Sequence, residues 1–470
     1  MATSVSSARR CARGLRHVWL LRAVCFIGGV VGGGLAFAGT SSAETLAQVF
    51  TLAQQHNPAL RSAQANYQAA LSGVPLARSK LLPQLVAGAN LSANAQDNSD
   101  NPLLQKFGMP TQWNYTSRDV NLVATQALYQ PADHLGVEQA DVAARIAYLK
   151  FVQQDQDLML QVAARYFDVL AAQDSLHSLE EQQKAVTQQV KSAQANFDAG
   201  NGTIVDVRDA QARVDLTAAQ VLAAENQLEL TRNSLQQLVG TTTQTLAPLP
   251  SSTALQAPLG DMHAWSRKAE EHNLGVDEAL LGVKLAQLSA KKADTGYRPT
   301  VSAYARLDHN ATTGGSPLFP FSNRANVASV GVQMRWPLFT GYAVQSDVEQ
   351  TAHLLEKSQS DLDSARLAAA QQARAAYLSV QSGLAQVKAL DAAIASSRSS
   401  LQANETGFKV GMRVNIDVLN ALSQLYETQR QADKARYDVL VNTLRLKNAA
   451  GELDRRDIDT LSALLEPASE

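Results

Sequence analysis

Cysteine is nearly missing from this chain of 470 residues, occurring only as Cys11 and Cys25 near the N-terminus. A disulfide framework and a Cys-ligated metal centre are thereby excluded from the remainder. Aromatic residues are scarce as well, at 6% against a hydrophobic content of 45%. The difference is made up of Ala, Leu and Val in runs shared with Gln and Ser, which suits thin, closely packed helices. Charge of one sign is lacking: the net charge is −2, with acids and bases interspersed. Without a basic field, nucleic acid is excluded as a partner. Proline is absent from 132 to 247 and again from 338 to 466, and those gaps open the way to very long helices. Beyond the N-terminal region no apolar run reaches the roughly 20 residues of a spanning helix.

The N-terminal region reads as a secretory signal peptide over residues 1–43. Arg9, Arg10, Arg13, Arg16 and Arg22 precede an apolar run from Ala23 to Ala38, the charged and hydrophobic segments of an export leader. Cleavage after Ala36-Phe37-Ala38 or after Ser41-Ser42-Ala43 leaves small residues where a signal peptidase reads them. Both cysteines fall inside the leader. In Leu21-Arg22-Ala23-Val24 the position immediately before Cys25 is Val24, not the small residue of a lipidation signal.

The chain is written twice. His56-Asn57 recurs as His272-Asn273 and Pro83 as Pro299, an offset of 216 (272 − 56). Further on, Tyr166 recurs as Tyr377, Phe197-x-x-Gly200 as Phe408-x-x-Gly411, Asp206-Val207 as Asp417-Val418, and Gly240 as Gly451, at 211 (411 − 200). A repeat of this kind means two copies of one structural unit. The expected organisation is a first copy over 44–240, a link over 241–262, a second copy over 263–451 and a tail over 452–470. Each copy contains a helix, two strands, one very long helix and a returning helix. From Pro131 to Gly200 and from Tyr342 to Gly411 the separation is 69 (200 − 131), which as helix spans roughly 100 Å. Val387, Leu390, Ile394, Ser397 and Leu401 step by three and four, the spacing of laterally packed coils. Shorter segments, Thr45 to Lys80 and Ile204 to Val239, are expected to lie end to end against one long helix, with a kink at Pro75.

Between Pro83 and Pro131, and between Pro299 and Pro337, the period changes to two. Leu85, Ala87, Ala89 and Leu91 alternate with polar residues, as do Val120, Leu122 and Ala124; Val301, Ala303, Ala305 and Leu307; and Ala328, Val330, Val332 and Met334. Four strands of about ten residues follow, a length that suits a tilted bilayer crossing. Four strands cannot close a membrane barrel, whose smallest examples need about eight, so oligomerisation is required. The connections Gln96 to Thr116 and Asn310 to Asn326 have the composition of exposed loops. Phe107, Trp113, Phe319 and Phe321 in them have three readings: lipid headgroup contact, closure of the barrel mouth, or plain packing within the loop.

The opening Leu46-x-x-x-Phe50-x-x-Ala53-x-x-x-Asn57-Pro58, the stretch Leu81-Leu82-Pro83-Gln84 and the signature Phe408 to Leu419, repeated at Phe197 to Val207, resemble the TolC-like outer-membrane efflux protein family, which includes type I secretion components. The resemblance spans Glu44 to about Leu465. It implies a mainly α fold with a β-barrel portion: a homotrimer, a shared 12-stranded membrane barrel, a coiled-coil periplasmic α-barrel, and a collar built from link and tail. It also implies an outer-membrane exit duct extending into the periplasm of a Gram-negative cell and touching outer-membrane lipid. Such a duct takes drugs, toxins or secreted protein from an inner-membrane transporter of ABC, RND or MFS type through a periplasmic adaptor. A soluble periplasmic coiled-coil tether is the rival reading, and it leaves the four strands unexplained.

Enzymatic patterns are missing: the histidines after the leader show no metal-ligand spacing, and no Walker loop or nucleophile elbow occurs. No catalytic residue, metal or cofactor is expected. Chemistry concentrates instead at the two helical reversals. Gly200 and Gly411 permit the turn, Thr203 and Asn415 are candidate caps, and Asp206 and Asp417 enter the first turn of the returning helix. Under threefold symmetry Asp417 becomes a carboxylate ring at the periplasmic entrance. The family's second acid one turn later is replaced by Asn420, while its repeat mate Asp209 is acidic. Arg413 and Arg208 are candidates for ion pairs at the tips, with Asp206 or Asp209 as the expected partner of Arg413. Gly200, Gly202, Thr203, Gly411, Met412 and Val414 are the candidate adaptor-docking tips.

Overall fold

A computed structural model describes residues 43–242, 245–250, 253, 255–316, 319–320 and 322–465. The leader and its cysteines, parts of the link, the Phe319 and Phe321 side chains, and residues 466–470 lie outside the described residues. The first copy contains α1 (Leu46–His56), α2 (Pro58–Ser79), β1 (Gln84–Asp97), a short α3 (Pro102–Lys106), β2 (Gln112–Tyr129), α4 (Pro131–Asp198) and α5 (Ile204–Val239). The second contains α6 (Met262–His272), α7 (Leu274–Asp294), β3 (Thr300–Ser316), the two-residue β4 (Phe319–Pro320), β5 (Asn323–Arg335), α8 (Ala343–Lys409) and α9 (Asn415–Ala449), followed by α10 (Arg455–Ala463). The long helices run for 68 and 67 residues.

The short helices are interrupted at Asn57, and Pro75 sits inside a continuous α2. Asn57 is extended, as the residue before proline prefers, and its side chain accepts from the Ala59 and Leu60 amides. Pro58 takes the first helical position, where its missing N–H costs nothing. The second copy has no proline there, and Asn273 still stops α6 by capping Gly275 and donating to the Ala449 carbonyl. The repeated glycines stand against the repeated histidines. Gly240, at φ +81°, leaves 2.8 Å between an added Cβ and the His56 Cβ. Gly451, at φ +72°, would place a Cβ 2.0 Å from the His272 carbonyl oxygen. Each returning helix thus ends against the break of its own copy, and α2 and α5 both lie along α4. We expect Gly451→Ala to lower trimer yield and thermal stability sharply, because both φ and backbone contact oppose it. Gly200→Ala, with open space around it, is expected to lose only the part that comes from its positive φ. Melting temperatures of the two variants provide the comparison.

The four long strands pair antiparallel in the order β1, β2, β3, β5. They run 13 to 18 residues rather than ten, so the loops are shorter than composition suggested: polar residues such as Gln96 and Thr312 still pair within the ladder. The β2–β3 pairing joins the two copies. Register places every apolar set on one face: Leu85 opposite Ala124, Leu122 opposite Leu307, Ala305 opposite Val330, Val301 opposite Met334. The other face carries Asn121, Asp308, Ser329 and Gln333, with Arg306 and Asp308 paired at 2.6 Å. On the apolar face Val330 is 87% exposed and Leu91 70%. No described helix is long and apolar enough to cross a membrane.

The principal core wraps α4. Leu46, Val49 and Phe50 of α1, Val162, Tyr166 and Phe167 of α4, Leu235 of α5, Leu246 of the link, and Ile458 of α10 are all buried together. Glu44 bridges to Leu246 in parallel, and the Tyr166 hydroxyl donates between the Glu44 and Ala247 carbonyls at 3.0 and 2.9 Å. The segment from Glu44 into α1, the link and α10 therefore converge on one stretch of the long helix.

Candidate functional site

The two tips are built alike but capped differently. α4 ends at Asp198 and α8 at Lys409, and Gly200 and Gly411 turn the chain at φ +76° and +74°. Thr203 caps α5 in a reciprocal box: its hydroxyl accepts from the Asp206 amide, while the Asp206 carboxylate accepts from the Thr203 amide at 3.0 Å. In the second tip the cap position belongs to Val414, which has no side-chain bond. Asn415 is therefore not the cap. It is the first helical residue, fully buried, and its side chain reaches the other copy: Oδ1 accepts from Gln189 Nε2 at 2.6 Å, and Nδ2 donates to the Asp206 carbonyl at 3.1 Å.

Within the protomer Arg413 meets Asp417, at 3.5 Å, and not Asp206 or Asp209. The two are only four positions apart, Arg413 in the turn before α9 and Asp417 in the first turn of that helix, so the contact is local in the chain. Asp206 is occupied by its cap. Arg208 and Asp209 are exposed, with no ion pair among the described residues. Asn420 accepts from Arg213 at 3.0 Å, tying α9 to α5. Beneath these polar links Val186, Ala210, Leu419 and Leu422 are buried as one cluster from both copies. Gln189 and Arg213 had no motif to mark them, since their role depends on which helix lies opposite. At the extreme ends Val205, Val410, Met412 and Val414 are exposed, Met412 at 79%, while Gly202 is half-buried and Thr203 exposed.

Higher along the helices, Asp174 of α4 faces α9. The Tyr437 hydroxyl donates to it at 2.5 Å, and burial holds its pKa above the usual carboxylate range. His177 stands a turn away on α4; Arg436 of α9 pairs with Asp391 of α8 at 2.9 Å. Burial, with Asp174 and Asp391 as like charges, pushes Asp433 up to about 6 against the partial relief of Arg436. A cavity of about 520 Å³ lies here under Leu249 and Pro250. Folded Asp433 thus keeps its proton where the unfolded chain, near 3.8, has given it up. Between these values the folded state binds more protons, so stability falls as pH rises, and the cost is complete above about 6. Asp433→Asn is expected to raise the melting temperature at about pH 7.5 and leave it nearly unchanged at about pH 4; an equal gain at both would assign the effect to something other than this charge.

On another side of the helices a groove of about 1050 Å³ is lined by Gln161 and Arg165 of α4, Gln227 of α5, Ser382 of α8, and Lys434 and Arg445 of α9. Polar grooves between long helices, joined to strands that expose an apolar face, define the class: a channel protomer of the outer membrane whose barrel continues as a helical tunnel. The chain belongs to the outer membrane efflux protein family, whose model matches residues 49–241 and 265–452, one match on each copy. It is 29% identical over 427 residues to the outer membrane protein TolC of Vibrio cholerae, covering 91% of this chain and 95% of that one. To TolC of Escherichia coli it is 30% identical over 447 residues, covering 92% and 87%. The solved structure of CusC shares the fold, with a TM-score of 0.75 at 17% identity over 87% of this chain and 92% of that one.

Proposed function

We propose that three copies of this chain form an exit duct of an efflux or type I secretion system, closed at rest by the tips and docked there onto a periplasmic adaptor. The observation that carries this reading is the four-stranded sheet. Its apolar face is exposed, and among the described residues β1 and β5 each leave an edge unpaired. Isolated sheets do not persist with open edges and an uncovered apolar face. Three copies edge to edge supply twelve strands and remove both liabilities, with the apolar face toward lipid and the Arg306–Asp308 face toward water. A soluble tether leaves Val330 and Leu91 in water.

The link and α10, gathered with α1 around α4, supply the collar of this duct, and the polar groove supplies part of its wet lining. The exposed Met412, Val414, Val410 and Val205 offer an end-on apolar surface, repeated three times per trimer, to the adaptor. Asp417, tied to Arg413, forms the entrance ring; Asn415 and the Arg213–Asn420 bond hold the two copies' tips together as the gate. The transporter behind the adaptor is an inner-membrane pump. Purified protein inserted in planar bilayers is expected to give a small, closed-state conductance from trimers and none from monomers. In cells, cysteine at Gly202 or Met412 is expected to crosslink to the adaptor. Crosslinks confined to Ala132 or Tyr342, at the opposite helix ends, would reject tip docking.

A further inference from the structure

The apolar face of the sheet has two unlike borders. On the helix side it ends in aromatics: Trp336 is exposed and donates to the Tyr297 carbonyl at 3.1 Å, and the rings of Phe339 and Tyr342 meet edge to face. Aromatic side chains of this kind settle at a bilayer interface. On the loop side the border is basic. Arg118 of β2 lies opposite Ala311 of β3, and Ala311 lies opposite Arg324 of β5. The two arginines therefore share one row and one face, two strand spacings or about 10 Å apart. That face is the one carrying Leu91, Leu122 and Val330.

Both arginines are exposed, and neither guanidinium has an ion pair among the described residues. Arg306, on the opposite face, is neutralised by Asp308. In the adjoining rows of the same face, His309 and Asn326 are hydrogen-bonded to each other at 2.5 Å, and Thr116 and Thr313, opposite one another, carry no charge. Ten positions separate Arg324 from Met334 along β5, which at a strand tilt of 35 to 45° places the arginine row roughly 25 Å above the other end of the band. That is the height of an apolar membrane belt, so the row stands at the level of the outer leaflet's headgroups.

We propose that Arg118 and Arg324 form a two-armed site for a phosphorylated lipid of the outer leaflet, of the lipid A class, bound once per protomer around the barrel. The proposal rests on the lipid-facing assignment made above. A guanidinium presents a planar fork of donors that matches phosphate bidentately and remains charged at every accessible pH. Two forks about 10 Å apart suit a headgroup bearing more than one phosphate better than a single small anion. An aromatic border lacks this preference, so the two ends of the barrel would be matched to two chemically different leaflets.

The test uses full-length trimers in neutral detergent, titrated with fluorescent lipid A. The double variant Arg118→Gln/Arg324→Gln is expected to bind about thirtyfold more weakly than the parent, the loss of two basic contacts to an anionic headgroup. Arg335→Gln, on the polar face, is expected to bind like the parent, and lipid A stripped of its phosphates to bind parent and double variant alike. If the glutamine pair does not assemble, Arg118→Lys/Arg324→Lys keeps the charges while removing the forks and is expected to lose only part of the affinity. Equal binding of phosphorylated lipid A by parent and double variant overturns the proposal, as does its displacement by inorganic phosphate at the same concentration. A polarity-sensitive probe on Val330→Cys in liposomes separates the two readings. Hydrocarbon around the probe with unchanged lipid A binding defeats the lipid site alone, and water around it defeats the facing of the sheet.

Discussion

Arginine in place of Val330 is expected to abolish accumulation of the trimer in the outer membrane, while arginine in place of Gln333 leaves it nearly unchanged. Both residues belong to β5, three positions apart, and register puts them on opposite faces. Val330 pairs with Ala305 in the middle of the apolar band and is 87% exposed; Gln333 pairs with Ser302 on the polar face. An arginine facing lipid near the midplane costs about 2 to 4 kcal/mol. Three symmetric copies multiply that to roughly 6 to 12 kcal/mol for the assembly, comparable with the whole stability of a folded domain. Heat-modifiable migration of the trimer in outer-membrane fractions reads the difference. Equal tolerance at the two positions would reverse the facing of the sheet.

Asn415→Ala is expected to leave the duct ajar. Its side chain is buried at the base of the second tip and joins Gln189 of α4 to the Asp206 carbonyl of α5 through two hydrogen bonds. Truncation strands those partners in a site with little water, at about 1 to 3 kcal/mol per unsatisfied group. Even the lower figure, taken over three copies, shifts an opening equilibrium on the order of 100-fold. Resting conductance in planar bilayers and sensitivity to large antibiotics are both expected to rise. Arg413→Gln breaks only a solvent-accessible pair four positions apart in the chain, worth about 0 to 1 kcal/mol, and is expected to change conductance far less. The reverse ranking, with Arg413→Gln opening trimers of normal abundance and Asn415→Ala silent, would make the Arg413 ion pair, not Asn415, what holds the gate closed.

Placing Asn415 ahead of Arg413 follows from what could and could not be read along the chain. The duplication, the two proline-free tracts, the glycine reversals at Gly200 and Gly411, and the alternation that puts Leu85, Val301 and Val330 on one face were all legible in the sequence. Each records the geometry of a single element: a helix repeats every 3.6 residues and a strand every two, so the pattern survives without knowledge of any neighbour. Family resemblance at the tip signature was legible for the same reason, being a contiguous stretch. The pairing of Asn415 with Gln189, 226 residues earlier, was not. Nor were the Arg213–Asn420 bond, the packing of Gly451 against His272, or the row that joins Arg118 to Arg324 across Ala311. These depend on the rotation of one helix against another and on strand register across the two copies, which arise only when the elements pack. A polar side chain shows its type in the sequence, and the atoms within its reach are decided by the tertiary structure.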